Sequence, residues 1–221
     1  MRILVIAAHM DDEVLGAGGT IAKHVATGDE VTVCIVCKRA YDHQFSSRVV
    51  REEEGAARRA QRVLGYQALR FLHLRDERLD ERLIDLITPL ETCLRAAKPA
   101  VVYTNHRGDN NQDHRAVFQA TMVASRTIAK PKVPRVLCYE VLSSTEQAPP
   151  FPDYAFQPNF YVDISSFLAR KRRAMVAYRR ELRQFPHPRS LVGIEVLAKK
   201  RGMEVGFHAA EAFMVVRDEW A

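Results

Sequence analysis

The sequence has no run of roughly 18 uninterrupted apolar residues, the length a membrane-spanning helix needs. Its apolar opening, Met1 to Ala8, is short. It meets the polar stretch His9-Met10-Asp11-Asp12-Glu13 at once, without the longer apolar region and small-residue cleavage site of a signal peptide. The expectation is therefore a soluble, cytoplasmic chain with no membrane span. Cysteine is scarce: Cys34 and Cys37 form a C-x-x-C, but no second pair completes a four-cysteine zinc site. Both lie in the apolar stretch VTVCIVC and read as buried structural thiols. The net charge of +6, much of it between Arg170 and Arg183, comes without aromatic interleaving or a nucleic-acid motif. It reads as a solvated helix face that would also suit an anionic small substrate, and no nucleic-acid partner is expected. No internal repeat and no linker appears, and 221 residues suit one domain, 1–221.

What is present is an alternation of strand and helix. Ile3–Ala8, Val31–Val36, Ala100–Thr104 and Val136–Leu142 are near-continuous apolar runs, as in strands buried on both faces, and Arg70–Leu74 is a shorter strand. Helical spacing falls between them: after the first strand to about Ala26, around 51–64 up to Gly65, over 83–97, and over about 114–128. Thr88-Pro89 predicts a fresh helix start inside the third. Residues 147–158 are proline-rich and read as a surface excursion. A long helix is expected from Ser165 or Ser166 to Phe185, and a late strand over 212–216. The fold class is α/β, one Rossmann-like domain with a mainly parallel sheet and helices on both faces.

Ligands in open α/β sheets bind at the carboxyl ends of the strands. Two clusters stand there. After the first strand, His9 offers a neutral nitrogen and Asp12 a carboxylate three residues on, with Asp11 free as a base. The plainer alternative is a helix cap at Asp11 or Asp12 and a core histidine. After the third buried strand come Asp109, Asn110, Asn111, Gln112, Asp113 and His114. An Asp beside a ligand His can accept its second ring N–H, and two His with one carboxylate plus water is a catalytic zinc pattern. A polar turn capped by Asp113 is the alternative. Two such clusters at equivalent strand ends favour the metal.

His9 to Glu13 resembles the A-H-P-D-D-E signature of the PIG-L/LmbE-type deacetylases of N-acetylglucosaminyl compounds, with Met10 where proline is usual. Asp109 through His114 resembles that family's second motif, which ends in Asp-His. Weaker echoes are Arg51 with Glu54, Ser143 to Glu146, His187 to Ser190, and Gly206 to Phe213. The resemblance implies a divalent metal, usually Zn2+, held by His9, Asp12 and His114, with Asp11 as general base and Asp113 as support for the site. It implies a sugar contact from Arg51, with Arg48 as rival, and further substrate contacts from Asp109 and Arg189. Where many members carry a histidine that polarises the amide oxygen, this chain has Asn111, which can donate a hydrogen bond to an oxyanion but cannot protonate it; Asn111 is the candidate for stabilising charge, and His187 or His208 the candidate source of a cation.

The expected reaction is hydrolysis of the acetyl amide of an N-acetylated sugar or conjugate, giving acetate and a free amine. Two other readings are carried: an amidase acting on a non-sugar acyl compound, and a non-catalytic nucleotide-binding module. The latter rests on Gly16-x-Gly18-Gly19 as a phosphate-cradling loop. Self-association is an open expectation from related folds.

Overall fold

The computed structural model describes residues 1–38 and 47–220. Strands β1 (Arg2–Ala7), β2 (Glu30–Lys38), β3 (Ala68–Arg75), β4 (Val101–Asn105), β5 (Arg135–Tyr139), β6 (Phe160–Asp163) and β7 (Ala210–Asp218) form one sheet in the order β3-β2-β1-β4-β5-β7-β6. The pairs from β3 through β5 are parallel, and β7 is antiparallel to both β5 and β6. The apolar runs become strands because each is covered on both faces: β1 is buried from Ile3 to Ala7 and β4 throughout.

Two cores flank the sheet. One joins Ile3, Val5 and Ala7 to α1 (Asp12–Ala26), α2 (Ser47–Leu64) and α5 (Leu168–Val176). The other joins Leu4 and Ile6 to α3 (Leu83–Ala97) and α4 (Gln112–Ala124). Alternate β1 side chains thus go to opposite cores, the period-two rule of a strand. From β1 the chain winds one way to β2 and β3, then returns to the other side as β4. The gap between the ends of β1 and β4 is therefore a topological switch point, where such sheets bind ligands. No helix among the described residues is long and apolar enough to cross a membrane.

Three expectations change. Pro89 does not restart α3, which runs through it; the carbonyl that its missing N–H would leave unpaired belongs to Asp85, which faces solvent. The long helix expected to reach Phe185 ends at Val176, and a second helix, α6 (Leu191–Met203), starts where none was expected. Ser190 caps it, its Oγ accepting the Gly193 N–H at 2.9 Å. The intervening segment 177–190 leaves helical geometry and folds back over the end of β1. Finally, Gly16, Gly18 and Gly19 form no loop: they lie inside α1. A Cβ on Gly16 would sit 2.1 Å from the Tyr139 ring, and one on Gly19 2.7 Å from Ile164. These glycines bring α1 close to the sheet and cradle no phosphate, which removes the support for the nucleotide-binding reading.

Candidate metal centre and its cavity

β1 ends at Ala7, and the next residues turn tightly into α1. Asp11 holds φ at 110°, a conformation that favours glycine and costs a non-glycine residue roughly 1–3 kcal/mol. The strain is held by the surroundings. The Asp11 N–H donates to Glu13 Oε2 at 3.2 Å, and Tyr178 Oη donates to Glu13 Oε1 at 2.5 Å. Glu13 is fully buried, and burial, opposed by the Tyr178 hydrogen bond, pushes its carboxyl up to about 7.

The turn brings three donor atoms together with α4. His9 Nδ1 lies 3.2 Å from His114 Nε2 and 3.7 Å from Asp12 Oδ2, and His114 Nε2 lies 3.2 Å from Asp12 Oδ2. Tetrahedral ligands about 2.0–2.1 Å from one zinc ion stand about 3.3 Å apart, so this triangle fits such a cation. The outer atoms are fixed as well. Asp113 Oδ2 lies 2.9 Å from His9 Nε2, and Asp109 Oδ2 lies 3.2 Å from His114 Nδ1. Asp12 Oδ2 accepts the His9 N–H at 2.9 Å and the Asn105 amide at 3.1 Å. Burial opposes charge on His114, yet Asp12 and Asp109 outweigh it and lift the imidazole to about 10. Burial likewise opposes charge on Asp12, but His114 and His9 hold its carboxyl well below the usual range. The position between these groups thus strongly favours positive charge.

The triangle opens on a cavity of about 170 Å³ lined by His9, Met10, Asp11, Asp12, Cys37, Glu53, Asp76, Glu77, Asn111, Glu181 and Arg189. Arg189 reaches it from the irregular segment after α5, with Nη1 2.9 Å from Glu181 and 3.5 Å from Asp11 Oδ2, and Nε 2.5 Å from Ser143 Oγ. Asn111 caps α4: its Oδ1 accepts the Asp113 N–H at 2.8 Å, which leaves its NH2 as the donor available to a ligand.

The other candidates stand elsewhere. Asp109, expected at the substrate, is fully buried, and besides facing His114 it accepts hydrogen bonds from the Ser144 and Thr145 hydroxyls. Asp113 faces His9 rather than its neighbour His114, because successive residues of a helix point in different directions. Arg51 is exposed on α2 and lines an adjoining cleft of about 320 Å³, with Met10, Ala56, Arg59, Tyr178 and Arg179; Arg48 pairs with Glu52. His187 is exposed and accepts the Arg189 N–H, and His208 is exposed beside Asp163; neither lines the cavity. Four contributors had no role in the sequence reading: Asn105, Glu13, Tyr178 and Glu181. Asn105 carried a signal as a polar residue closing a buried strand, and Glu13 as the last residue of the first motif; Tyr178 and Glu181 carried none.

Residues 4–125 match the family described as PIG-L, GlcNAc-PI de-N-acetylase. Over 147 residues, 64% of this chain and 75% of the relative, the chain is 35% identical to the uncharacterized deacetylase YaiS of Escherichia coli K12. All of the chain superposes on 97% of the conserved protein TT1542 of Thermus thermophilus, at TM-score 0.80 and 26% identity. Similarly, 97% of it superposes on 83% of the N,N'-diacetylchitobiose deacetylase of Pyrococcus horikoshii, at TM-score 0.77 and 21% identity, a likeness that carries the fold alone.

Proposed function

Because the chain belongs to the PIG-L de-N-acetylase family, we propose that it hydrolyses the acetyl amide of an N-acetylated sugar or sugar conjugate with the help of a divalent cation, zinc in the first instance. The observation that carries this reading is the triangle of His9 Nδ1, Asp12 Oδ2 and His114 Nε2, backed by Asp113 and Asp109. His9, Asp12 and His114 would hold the ion. When bound, it would supply Lewis acidity toward the amide carbonyl and lower the pKa of water.

The chain's own groups do the rest. Asp11, in the same cavity, takes a proton as water adds to the acetyl carbon, then returns it to the amine as the C–N bond breaks. Arg189, with Nη1 3.5 Å from Asp11 Oδ2, orients the Asp11 carboxylate. The Asn111 NH2 donates to the carbonyl oxygen as negative charge develops there. His187 and His208 have no part in this account. The cavity of about 170 Å³ suits one amino sugar, and the adjoining cleft, with an apolar floor and an arginine rim, suits the remainder of a conjugate. The test is acetate release from a panel of free and conjugated N-acetylamino sugars against non-sugar acetamides, with wild type and Asp12→Ala. Release confined to sugars and lost in the variant supports the reading. Release confined to non-sugar amides overturns its sugar part.

A further inference from the structure

A further cavity, of about 390 Å³, lies at the opposite end of the sheet. Met1, Val101 and Arg135 line it, at or just before the starts of β1, β4 and β5, and the carboxyl-terminal half of α1 and strand β6 complete its walls. It shares no lining residue with the metal-side cavity or the cleft beside it. Its volume falls in the usual range of small-molecule sites, roughly 300–1,000 Å³. Val101, Tyr103, Phe160 and Val162 give it apolar, aromatic walls. Phe213 backs both rings, with centroids 5.0 Å from Tyr103 and 6.4 Å from Phe160. The charged groups around it are already engaged. Asp29 pairs with the Met1 amino group and, at 2.6 Å, with His24 Nδ1; Lys23 Nζ donates to the Asp163 carbonyl at 3.0 Å; Arg135 makes two bonds of 2.9 Å to Asp218. Hydrogen-bonding capacity, by contrast, is left over. Thr20 lines the cavity and is buried, and its hydroxyl has no partner among the described residues, although a helical threonine can return it to a carbonyl of the preceding turn. The Tyr103 hydroxyl lies 3.0 Å from His24 Nε2, and burial pushes the phenol above its ordinary value, so it stays protonated. Its oxygen shares one bond with Nε2, as donor to a neutral imidazole or acceptor from a charged one, and keeps capacity for another.

We propose that this cavity is a second small-molecule site, which binds a neutral phenol with its ring against Tyr103, Phe160 and Val162 and its hydroxyl toward the Tyr103 and Thr20 oxygens. A hydroxyl both donates and accepts, so it meets Tyr103 in either arrangement with His24. An ionic ligand would have to break one of the existing charge contacts or stay unpaired against apolar walls. A sugar fits less well, since most of its hydroxyls would lose water there without gaining partners.

The site does not depend on the deacetylase reading. The probes are 4-bromophenol and its hydroxyl-free counterpart bromobenzene, titrated into the full chain and followed by amide NMR shifts, with the bromine of 4-bromophenol located in soaked crystals by its anomalous signal. The expected results are bromine in this cavity, shifts around Thr20, His24 and Tyr103, and an affinity about three- to tenfold higher for 4-bromophenol, the usual worth of one hydrogen bond. Tyr103→Phe and Thr20→Val, both close to isosteric, lower the affinity for 4-bromophenol and leave that for bromobenzene unchanged. Bromine found only in the cleft beside the metal centre, or nowhere, overturns the proposal. So do equal affinities for the two compounds, or two variants that bind 4-bromophenol as the wild type does. If Tyr103→Phe does not fold, Thr20→Val and the bromine position in the wild type decide.

Discussion

Asp11 combines burial, a left-handed backbone and a carboxylate facing Arg189, a combination that packing alone does not call for. If it moves the proton, Asp11→Asn keeps the bound metal and loses about 10²–10⁴-fold in turnover, the usual worth of a general base. Metal analysis and initial rates on one preparation check both halves. Asp109 acts through another residue, since its carboxylate faces His114 Nδ1. Asp109→Asn therefore weakens metal affinity by about 10–100-fold, the usual cost of losing a carboxylate behind a ligand histidine. Competition with a chelator measures that loss, and a variant with unchanged affinity would contradict the assigned role.

Among the elements, α1 carries the turn that holds His9, Asp11 and Asp12, and its seating on the sheet depends on Gly16. Alanine at a helical position normally gains roughly 0.5–1 kcal/mol over glycine. Here the added Cβ meets the Tyr139 ring at 2.1 Å, and overpacking of that kind costs roughly 1–3 kcal/mol. The clash wins, so Gly16→Ala lowers the urea midpoint; a raised midpoint would contradict this packing. All the strands except β6, helices α1 through α4 and the two polar clusters at strand ends were legible in the sequence because their signals are local: apolar runs, helical spacing and chemistry at strand ends; β6, a four-residue edge strand that is only half-buried, carries no such run. The segment 177–185 was not legible. Its sequence has helical spacing, but Tyr178 turns to reach Glu13, 165 residues away, and a few residues on, where the prolines around His187 already exclude helix, Arg189 reaches Asp11. Tertiary contacts override the local preference, and no local pattern announces them. The pairing of Asp109 with His114 and of Asp113 with His9 was hidden for the same reason.

For the whole molecule, buried titratable groups tie stability to pH. His106 is buried between Tyr154 and Cys138, and burial pushes its imidazole below the ordinary value although a hydrogen bond to the Tyr154 carbonyl opposes this. The unfolded chain binds this proton near pH 6.5 and the folded chain only at lower pH. The unfolded state therefore holds more protons as pH falls below about 6.5, and stability declines there. His106→Gln removes that part of the slope, as denaturation midpoints across this range would record; an unchanged slope would contradict the assignment.

The central claim is that His9, Asp12 and His114 hold a divalent cation at the switch point of the sheet. Elemental mass spectrometry of the purified protein beside His9→Ala tests it most directly. The account predicts about one zinc per chain in the wild type, as one such triangle allows, and loss of that zinc in the variant. No divalent metal in either protein, even after incubation with zinc, would contradict it.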